Sequence, residues 1–526
     1  MGRGKELKYY NGRLKGNYLS DKDCQVLENL MRLSEENGCI EDLRHVIYSL
    51  TPSEVEQVKA NRSSEFIDPE VGELRPEQTI GVAYMYYSRR LVLGDSVGLG
   101  KTVELCGLIN LITQKRLKEG YTFRYLYLTD KNLVEQSRDE LIKFTGEYVD
   151  ILWGEKKYVE KFSEENGDDL QYSIIAPHSL LNSVIFQEYI RTFKAYYGCN
   201  PFDAMFIDES AVVSNTATQT YSNGRALADD FDWVVLMNAT PFEKQLRAFY
   251  AQISFCDESL LPVKSIFSKQ YEVMSYVGAY PKFSGEYKNQ DMFRKQVAYR
   301  YFARTRKKLG AVMKDCTADV VITPLSQVQR ELMNKVSMPQ MVYDCPSYFD
   351  PEIEMTAETT PKLGALISLI ENELAGEDTI LVSVIYKESQ RGIREALLER
   401  GISCEIMNGD TSQEDKNNII TKFRMGDFRV LITNVQKGLN FGHCNACVFY
   451  SYDANPNKMV QFEGRMTRSK DIIGKKVYLL VSKGKELTRL KKTVANRAEA
   501  SDLFAGSDFS CVLGLLLNSE KLKNLK

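Results

Sequence analysis

The sequence predicts an α/β protein with two tandem units, each a parallel sheet flanked by helices. From about residue 90, short runs of β-branched and aromatic residues alternate with longer amphipathic stretches. These runs are almost continuously apolar, which is typical of parallel strands covered by helices on both faces. The alternation pauses after residue 237 and resumes at residue 380, so a middle segment separates the two units.

The predicted strands coincide with the apolar runs. In the first unit they span residues 91–94, 125–129, 173–176, 204–208 and 233–237. In the second unit they span residues 380–384, 404–407, 430–433, 446–450 and 476–481.

Five regions are predicted along the chain. They are an N-terminal helical region of unknown role at 1–70, the first unit at 71–245, a helical and basic segment at 246–355, the second unit at 356–490, and a helical tail at 491–526. The N-terminal region contains predicted helices at 21–36 and 51–61. Turn residues cluster at 344–361, so this segment is the predicted hinge.

Charge and cysteine content limit the class of protein. The 526 residues include 68 Lys and Arg against 71 Asp and Glu, which excludes a uniformly basic protein but allows a local basic channel. No apolar run approaches the roughly 20 residues that span a bilayer, so we expect no membrane partner. The 11 cysteines are scattered and odd in number, which indicates reduced thiols. We therefore expect a protein of a cytosol-like compartment.

A glycine-rich stretch at residues 94–102 predicts a phosphate-binding loop. It reads Gly-Asp-Ser-Val-Gly-Leu-Gly-Lys-Thr and opens a helical stretch. Glycines let backbone amides approach phosphate, the helix N-terminus adds partial positive charge, and Lys101 reaches the β- and γ-phosphates. Thr102 would hold Mg²⁺ through its hydroxyl group. Because Asp95 replaces the first glycine of the strict pattern, the stretch alone also allows a chance glycine turn.

Two adjacent carboxylates, Asp208 and Glu209, end one of the predicted strands. Neighbouring strand residues point to opposite sides, so the two acids can do different work. Asp208 can orient Mg²⁺, while Glu209 can position and deprotonate the attacking water. The alternative is a solvent-facing acidic turn, which is a less common role for an acidic pair in a sheet that also holds a phosphate loop.

These motifs, together with five other stretches in the same order, resemble the superfamily-two helicases and translocases, specifically the Swi/Snf-type branch of nucleic-acid-dependent ATPases. The resemblance covers residues 72–485. The stretches that carry it are LRPEQ at 74–78, DSVGLGKT at 95–102, DESA at 208–211, NATP at 238–241, FARTRKK at 302–308, GLNF at 438–441 and QFEGRMTR at 461–468.

The resemblance implies two RecA-like lobes that sandwich ATP and Mg²⁺. Gln78 matches the glutamine that contacts adenine. Asp95 stands where this branch has aspartate, and the other loop residues that match are Gly98, Leu99, Gly100, Lys101 and Thr102.

The final motif of the second lobe contains Gln461, Arg465 and Arg468. By resemblance, Gln461 contributes to the nucleotide site. The two arginines lie one helical turn apart and would face the γ-phosphate from the second lobe, so hydrolysis would require a closed cleft. The alternative for Arg465 and Arg468 is a surface helix with ordinary ion pairs.

Several basic clusters could contact nucleic acid. They lie at 304–308, 475–476, 483–485 and 491–492. Gathered on one channel they would bind phosphates with a salt-dependent affinity. Solvated helix faces are the alternative explanation for each of them.

The sequence therefore predicts an ATP-dependent DNA translocase or helicase that acts as a monomeric motor. Duplex DNA is favoured because the Swi/Snf-type branch generally tracks on it. Two alternatives remain open: an ATPase that acts on a transcribing RNA polymerase, and a nucleic-acid-binding scaffold with a slow ATPase. Replication or repair proteins are further expected partners.

Overall fold

The computed structural model describes residues 20–35, 74–166, 170, 172–239, 241, 246–277, 280–304, 313–336, 339–434, 441–451, 456–467 and 472–491. The predicted helix at 51–61 and the predicted tail after residue 491 lie outside these residues. The chain divides between residues 309 and 310 into two compact units.

The first unit is built on a parallel sheet. Its described strands are β1 (Arg90–Leu93), β2 (Tyr125–Thr129), β3 (Val149–Ile151), β4 (Ser173–Pro177), β5 (Ala204–Ile207), β6 (Trp233–Met237), β7 (Glu272–Val277), β8 (Tyr280–Tyr287) and β9 (Tyr301–Phe302). Seven of these form the sheet in the order β3-β4-β2-β5-β6-β1-β9, while β7 and β8 pair as an antiparallel hairpin. Register places Leu91 opposite Val235 and Tyr127 opposite Phe206.

Helices cover both faces of this sheet. They are α1 (Asp21–Glu35), α2 (Pro76–Ser88), α3 (Lys101–Lys118), α4 (Val134–Thr145), α5 (Lys156–Glu165), α6 (Val184–Tyr197), α7 (Gln219–Ala228), α8 (Leu246–Cys256), α9 (Lys264–Tyr271) and α10 (Gln290–Val297). Alternate residues of one strand enter different cores: Leu91 and Leu93 pack into one, Val92 into the other. This two-sided burial explains the continuous apolar runs and confirms the predicted parallel sheet.

The second unit repeats the architecture. Its described strands are β10 (Met313–Lys314), β11 (Thr317–Thr323), β12 (Ile380–Ser383), β13 (Cys404–Met407), β14 (Val430–Thr433), β15 (Ala446–Phe449), β16 (Ile472–Ile473) and β17 (Lys476–Ser482). Six form a parallel sheet in the order β11-β17-β15-β12-β14-β13, and β10 pairs with β16. The helices are α11 (Gln327–Met333), α12 (Pro339–Asp344), α13 (Pro361–Ser368), α14 (Lys387–Glu399), α15 (Gln413–Met425) and α16 (Pro456–Met466).

The middle segment 246–355 contains more than the predicted helices. Helices α8 to α12 are present, but so are the β7–β8 hairpin and strands β9, β10 and β11. Strand β9 pairs with β1 at the edge of the first sheet, and β11 pairs with β17 at the edge of the second. The segment therefore completes both sheets.

Arg90, at the start of β1, ties two helices to the first sheet. Its side chain is buried and donates hydrogen bonds of 2.7 Å to the carbonyl oxygens of Ala228, Phe231 and Cys256. Ala228 and Cys256 are the last residues of α7 and α8, where a cation complements the helix dipole. These bonds fix the position of α8 relative to β1.

Among the described helices, none is both long enough and apolar enough to cross a membrane.

Candidate functional site

Three loops meet at the carboxyl edge of the first sheet. Strands β5, β6 and β1 are neighbours, and the chain leaves them at Asp208, Asn238 and Gly94. The Asn238 amide donates to the carbonyl of Leu93 at 3.1 Å, so the pairing between β6 and β1 continues into the loops. The topology thus brings the predicted phosphate loop, the acidic pair and the start of the 238–241 stretch to one edge.

The glycine-rich loop has the backbone conformation that its glycines permit. Gly98 has φ 82° and Gly100 has φ 87°, both in the left-handed region, where a side chain is strained. Helix α3 begins directly afterwards at Lys101. A Cβ atom at Gly100 would lie 2.5 Å from Nε2 of Gln78, so a larger residue there would have to displace the Gln78 side chain.

Lys101 is held against this loop by carbonyl groups. Its Nζ donates to the carbonyl oxygens of Asp95 at 2.7 Å and Ser96 at 3.4 Å. Burial lowers the pKa of Lys101, whereas the nearby carboxylates of Asp95, Glu209 and Asp208 raise it. The ammonium group therefore lies among the acids at the start of the helix, where phosphate oxygens could replace the two carbonyls.

The acidic pair is asymmetric. Burial, reinforced by the neighbouring Glu209, raises the pKa of Asp208 to about 7, and Lys101 opposes that rise. The Asp208 carboxylate accepts a 2.9 Å hydrogen bond from the Glu209 amide. Glu209 itself has φ 49° and ψ 52°, a left-handed conformation that is uncommon outside glycine. The chain turns sharply at Glu209 and continues into the 3₁₀ helix Ser210–Val213.

His178 contacts the same loop. Its Nε2 donates to the Asp208 carbonyl oxygen at 2.8 Å. From the sequence alone, this isolated histidine is predicted to have a core or surface role and not a catalytic one. Only the pairing of β4, β2 and β5 in the sheet brings it to the acidic pair.

Asp95, which stands at the first glycine position of the loop pattern, binds Arg304. The Arg304 amide donates to Oδ1 at 2.8 Å, Nε donates to Oδ2 at 3.1 Å, and Nη2 also donates to Oδ2. Nη2 further contacts the carboxylate of Glu104 on α3, and all three side chains are buried. Burial raises the pKa of Glu104 well above its usual value, although Arg304 opposes this.

Gln78 lies on α2 and its side chain contacts the phosphate loop. Its Nε2 donates to the carbonyl of Leu99 at 3.2 Å, and its Oε1 accepts from the Arg75 amide at 3.0 Å. The Arg75 guanidinium also donates to the Leu99 carbonyl. Gln78 therefore lies next to the phosphate loop, and its contact with adenine stays a prediction.

Gln252 of α8 connects two of the three loops and is a residue that the sequence analysis missed. Its Oε1 accepts from Ser210 Oγ at 2.8 Å and Asn238 Nδ2 at 3.1 Å, and its Nε2 donates to the Pro241 carbonyl at 2.7 Å. A glutamine in the middle of an otherwise largely apolar helix was the available signal, because a buried amide requires partners.

The second-unit residues lie on and beside α16. Gln461 and Arg465 are half-buried on this helix, and the Phe441 amide donates to the Arg465 carbonyl at 2.9 Å. The stretches at 438–441 and 461–468 therefore meet inside the second unit. Arg468 and residues 438–440 lie outside the described residues, and the roles of the arginines at phosphate stay predictions.

Two residues of the predicted basic clusters are buried and do not belong to a solvated surface. Arg304 binds Asp95 and Glu104 as above. Lys475 donates to the carbonyls of Gly442 at 2.9 Å and Cys444 at 2.8 Å, and burial lowers its pKa. Both cations are bonded to groups inside their own unit. The local charge pattern in the sequence could not distinguish such buried cations from those of a phosphate-binding surface.

Comparison with known families decides the assignment. Residues 31–362, well over half of the chain, match the family model described as the SNF2-related domain. The chain belongs to the SNF2-related family. Residues 361–470 match a second family model, the helicase conserved C-terminal domain. The SNF2-related family consists of helicase-like enzymes that hydrolyse ATP, and the two parallel sheets agree with its tandem RecA-like lobes.

Relatives in the SNF2-related family are distant in sequence. The chain is 22% identical over 500 residues to the mouse DNA repair and recombination protein RAD54B, covering 80% of this chain and 55% of that protein. It is 22% identical over 437 residues to the zebrafish chromodomain-helicase-DNA-binding protein 1-like, covering 75% and 40%. The chain thus spans about half the length of the curated relatives it matches.

A solved structure, the SWI2/SNF2 ATPase core of Sulfolobus solfataricus in complex with dsDNA, aligns with a TM-score of 0.38 and 17% identity, over 86% of this chain and 96% of that chain.

The residue types at the first-unit site fit a nucleotide bound together with Mg²⁺. Gly98 and Gly100 take the left-handed conformation just before α3, whose N-terminus favours an anion, and Lys101 adds a cation there. Among the described residues, no group of three or more His, Cys, Asp or Glu side chains could hold a metal alone. Mg²⁺ is usually bound through one or two carboxylates together with substrate phosphates, which suits Asp208 and Thr102.

Proposed function

We propose that this chain hydrolyses ATP and uses the hydrolysis to move along DNA, with duplex DNA as the preferred track. The observation that carries the proposal is the convergence of Lys101, Asp208 and Glu209 at one edge of the first sheet, where the three charges act on one another. A nucleotide-hydrolysing site needs this combination of phosphate loop, metal-orienting acid and base.

Each residue has a distinct task in ATP hydrolysis. The amides of Gly98, Leu99 and Gly100 cradle the phosphates, while Lys101 exchanges its two carbonyl partners for phosphate oxygens. Glu209 accepts the proton of the attacking water.

Thr102 and Asp208 would hold Mg²⁺, which when bound would supply positive charge to the phosphate oxygens. Asp95 does not need to reach the phosphates, since Arg304 engages its carboxylate. Gln78 lies beside the loop in a position from which an adenine contact is proposed by resemblance.

The second unit contributes Gln461, Arg465 and Arg468 to the proposed reaction. An arginine supplied to a transferring phosphoryl group is worth about 10³–10⁵ in rate. If these arginines act only when the two units close on ATP, then anything that favours closure stimulates turnover. DNA bound across both units would be such a stimulus, and repeated closure would move the chain along its track.

DNA as substrate is supported by the nature of the relatives. The mouse RAD54B protein is named for DNA repair and recombination, and the zebrafish relative for DNA binding. Both match three quarters or more of this chain. Replication or repair proteins are accordingly the partners that we propose, for a protein of the cytoplasm or nucleoid that acts as a monomer.

The test compares ATP turnover with no polymer, with single-stranded DNA, with duplex DNA and with RNA. We expect duplex DNA to stimulate turnover most. Displacement of a third strand from a triplex reports translocation, and separation of a forked duplex reports unwinding. Strong unwinding without triplex displacement would indicate a conventional helicase, and stimulation by RNA alone would contradict the proposed substrate.

A second candidate is an ATPase that acts on a transcribing RNA polymerase. The chain is 27% identical over 171 residues to the RNA polymerase-associated protein RapA of Pseudomonas fluorescens, although this covers 32% of the chain and 17% of that protein. Co-purification with RNA polymerase and ATP-dependent release of stalled polymerase would favour this candidate. A scaffold with a slow ATPase is disfavoured because Lys101, Asp208 and Glu209 are all present and assembled.

A further inference from the structure

Gln252 is a buried glutamine whose amide oxygen and amide nitrogen are both hydrogen-bonded. It lies in the interior of α8 with no exposed surface. Its oxygen accepts hydrogen bonds from Ser210 Oγ at 2.8 Å and Asn238 Nδ2 at 3.1 Å. Its nitrogen donates to the carbonyl of Pro241 at 2.7 Å and to that of Ala248 at 3.2 Å.

These bonds join the loops that follow β5 and β6. Ser210 is the residue immediately after Glu209, and it is fully buried. Asn238 and Pro241 belong to the loop after β6, the strand between β5 and β1. A single side chain thus contacts the loop with the acidic pair and the loop beside it.

The helix that contains Gln252, α8, is bonded to the first sheet at its last residue. Arg90 binds the Cys256 carbonyl at the last residue of α8 and connects it to β1, the strand that leads into the phosphate loop. Gln252 is one helical turn before Cys256. Its amide therefore has a defined position relative to the phosphate loop as well as to the two loops it bonds.

We propose that Gln252 is a positioning residue for ATP hydrolysis, which holds the Glu209 loop in register with the 238–241 loop. The proposal rests on the proposed ATP hydrolysis. Glu209 has a left-handed backbone conformation, so the direction of its side chain depends on how the flanking residues are held. On one side the Glu209 amide is bonded to Asp208, and on the other Ser210 is anchored by Gln252.

Only a glutamine satisfies both loops at once. Leucine has a similar volume but would leave Ser210 Oγ, Asn238 Nδ2 and the Pro241 carbonyl without this partner. Glutamate keeps the acceptor but loses the donor to Pro241. The functional loss should appear in the chemical step, because these bonds join protein groups of the two loops and act on Glu209 only through Ser210.

The test variant is Gln252→Leu, with Gln296→Leu as its matched control. Gln296 on α10 is also buried, accepts from Tyr271 Oη at 2.6 Å and donates to the Leu260 carbonyl at 2.6 Å, but it bonds none of the three loops. The two substitutions therefore remove the same chemistry from equally buried places. Thermal unfolding of both variants measures the general cost of the lost amide.

Gln252→Leu should lower kcat by about 10- to 100-fold while KM for ATP changes by less than about 3-fold, as expected for a misplaced base. Gln296→Leu should retain the wild-type kcat. Ser210→Ala should lower kcat in the wild-type background and add nothing to Gln252→Leu, since both remove the same bond.

Equal kcat values for the two leucine variants would overturn the role of Gln252 while leaving ATP hydrolysis intact. Absence of turnover in the wild-type protein would instead overturn the proposed function and, with it, this proposal. If Gln252→Leu fails to fold, Ser210→Ala decides: a normal kcat in that variant contradicts the proposal, and a selective loss of kcat supports it.

Discussion

Arg304 holds the carboxylate of Asp95 through its backbone amide and its guanidinium group, in the interior of the first unit. Asp95 is a loop residue and Arg304 follows the edge strand β9, so the bond attaches that strand to the phosphate loop. A second bond does the same, because the Ser96 amide donates to the Arg304 carbonyl at 3.1 Å. The aspartate at the first glycine position is thus explained by packing inside the unit.

Arg304→Met should destabilise the protein by about 3–5 kcal/mol, because it leaves Asp95 and Glu104 buried without their cation. Chemical denaturation of the first-unit transition measures the loss. The variant Arg191→Met removes an exposed ion pair with Glu188 and should have no measurable effect. Equal stability of the two variants would show that the buried ion triad of Arg304, Asp95 and Glu104 contributes nothing to the free energy of unfolding.

Lys101→Ala should abolish ATP turnover and leave most DNA binding, since it removes a phosphate contact at the start of α3. Lys118→Ala, at the exposed last residue of the same helix, is the control and should keep normal turnover. ATPase assays and DNA-binding titrations give both readouts. Normal turnover in Lys101→Ala would refute the phosphate site.

Glu209→Gln should keep ATP binding and slow hydrolysis by at least about 10²-fold, because the base is lost while the shape is kept. Single-turnover hydrolysis and binding of a non-hydrolysable ATP analogue separate the two effects. If Glu209→Gln and Asp208→Asn were both kinetically silent, the interpretation of the pair as a solvent-facing acidic turn would be correct.

Asp208 should make both stability and metal binding depend on pH. Its folded pKa of about 7 exceeds the ordinary value of 3.8. The folded chain therefore holds this proton more tightly than the unfolded chain, so the contribution of Asp208 to stability falls as pH rises between these two values. Asp208→Asn should become more stable relative to the wild type across that window, as measured by denaturation at several pH values.

The same proton competes with Mg²⁺, which binds the ionised carboxylate. Mg²⁺ affinity in the presence of an ATP analogue should rise as pH increases through about 7. Titration calorimetry at pH 6 and pH 8 checks the direction, and a flat pH profile would mean that Asp208 does not bind the metal.

Arg468→Ala should bind ATP and DNA normally but lose DNA-stimulated turnover and strand movement together. The loss should lie in kcat, because the arginine acts where transition-state charge develops. Arg465→Ala should behave in the same way. An Arg468→Ala enzyme with unchanged DNA-stimulated kcat would remove the basis for hydrolysis between two units.

The elements that the sequence predicts well are those whose signal is local. Strands β5 and β6 are short, fully buried and apolar at every position, so the run of residues alone marks them. The phosphate loop and the Asp208–Glu209 pair are contiguous stretches, and the topology of a parallel sheet places them at one edge.

The elements that the sequence predicts poorly depend on distant partners. Strand β9 has two residues and exists because β1 lies beside it, while β11 is a half-exposed edge strand with only Val320 and Thr323 buried. The burial of Arg304 and the bonds of Gln252 are likewise set by residues far away in the chain. A charge or an amide in the sequence does not reveal whether it is solvated or paired.

The ion triad around Arg304 has a consequence for how the protein is made. Asp95 and Arg304 are separated by 209 positions. At a synthesis rate of about 5–20 residues per second, on the order of 10–40 s pass on the ribosome between the two residues. During that time the aspartate has no arginine to neutralise it, and the glycine loop cannot take its final arrangement in a dry interior. We therefore expect the proposed phosphate loop to reach its final arrangement only after the edge strand, and with it nearly the whole first unit, has been synthesised.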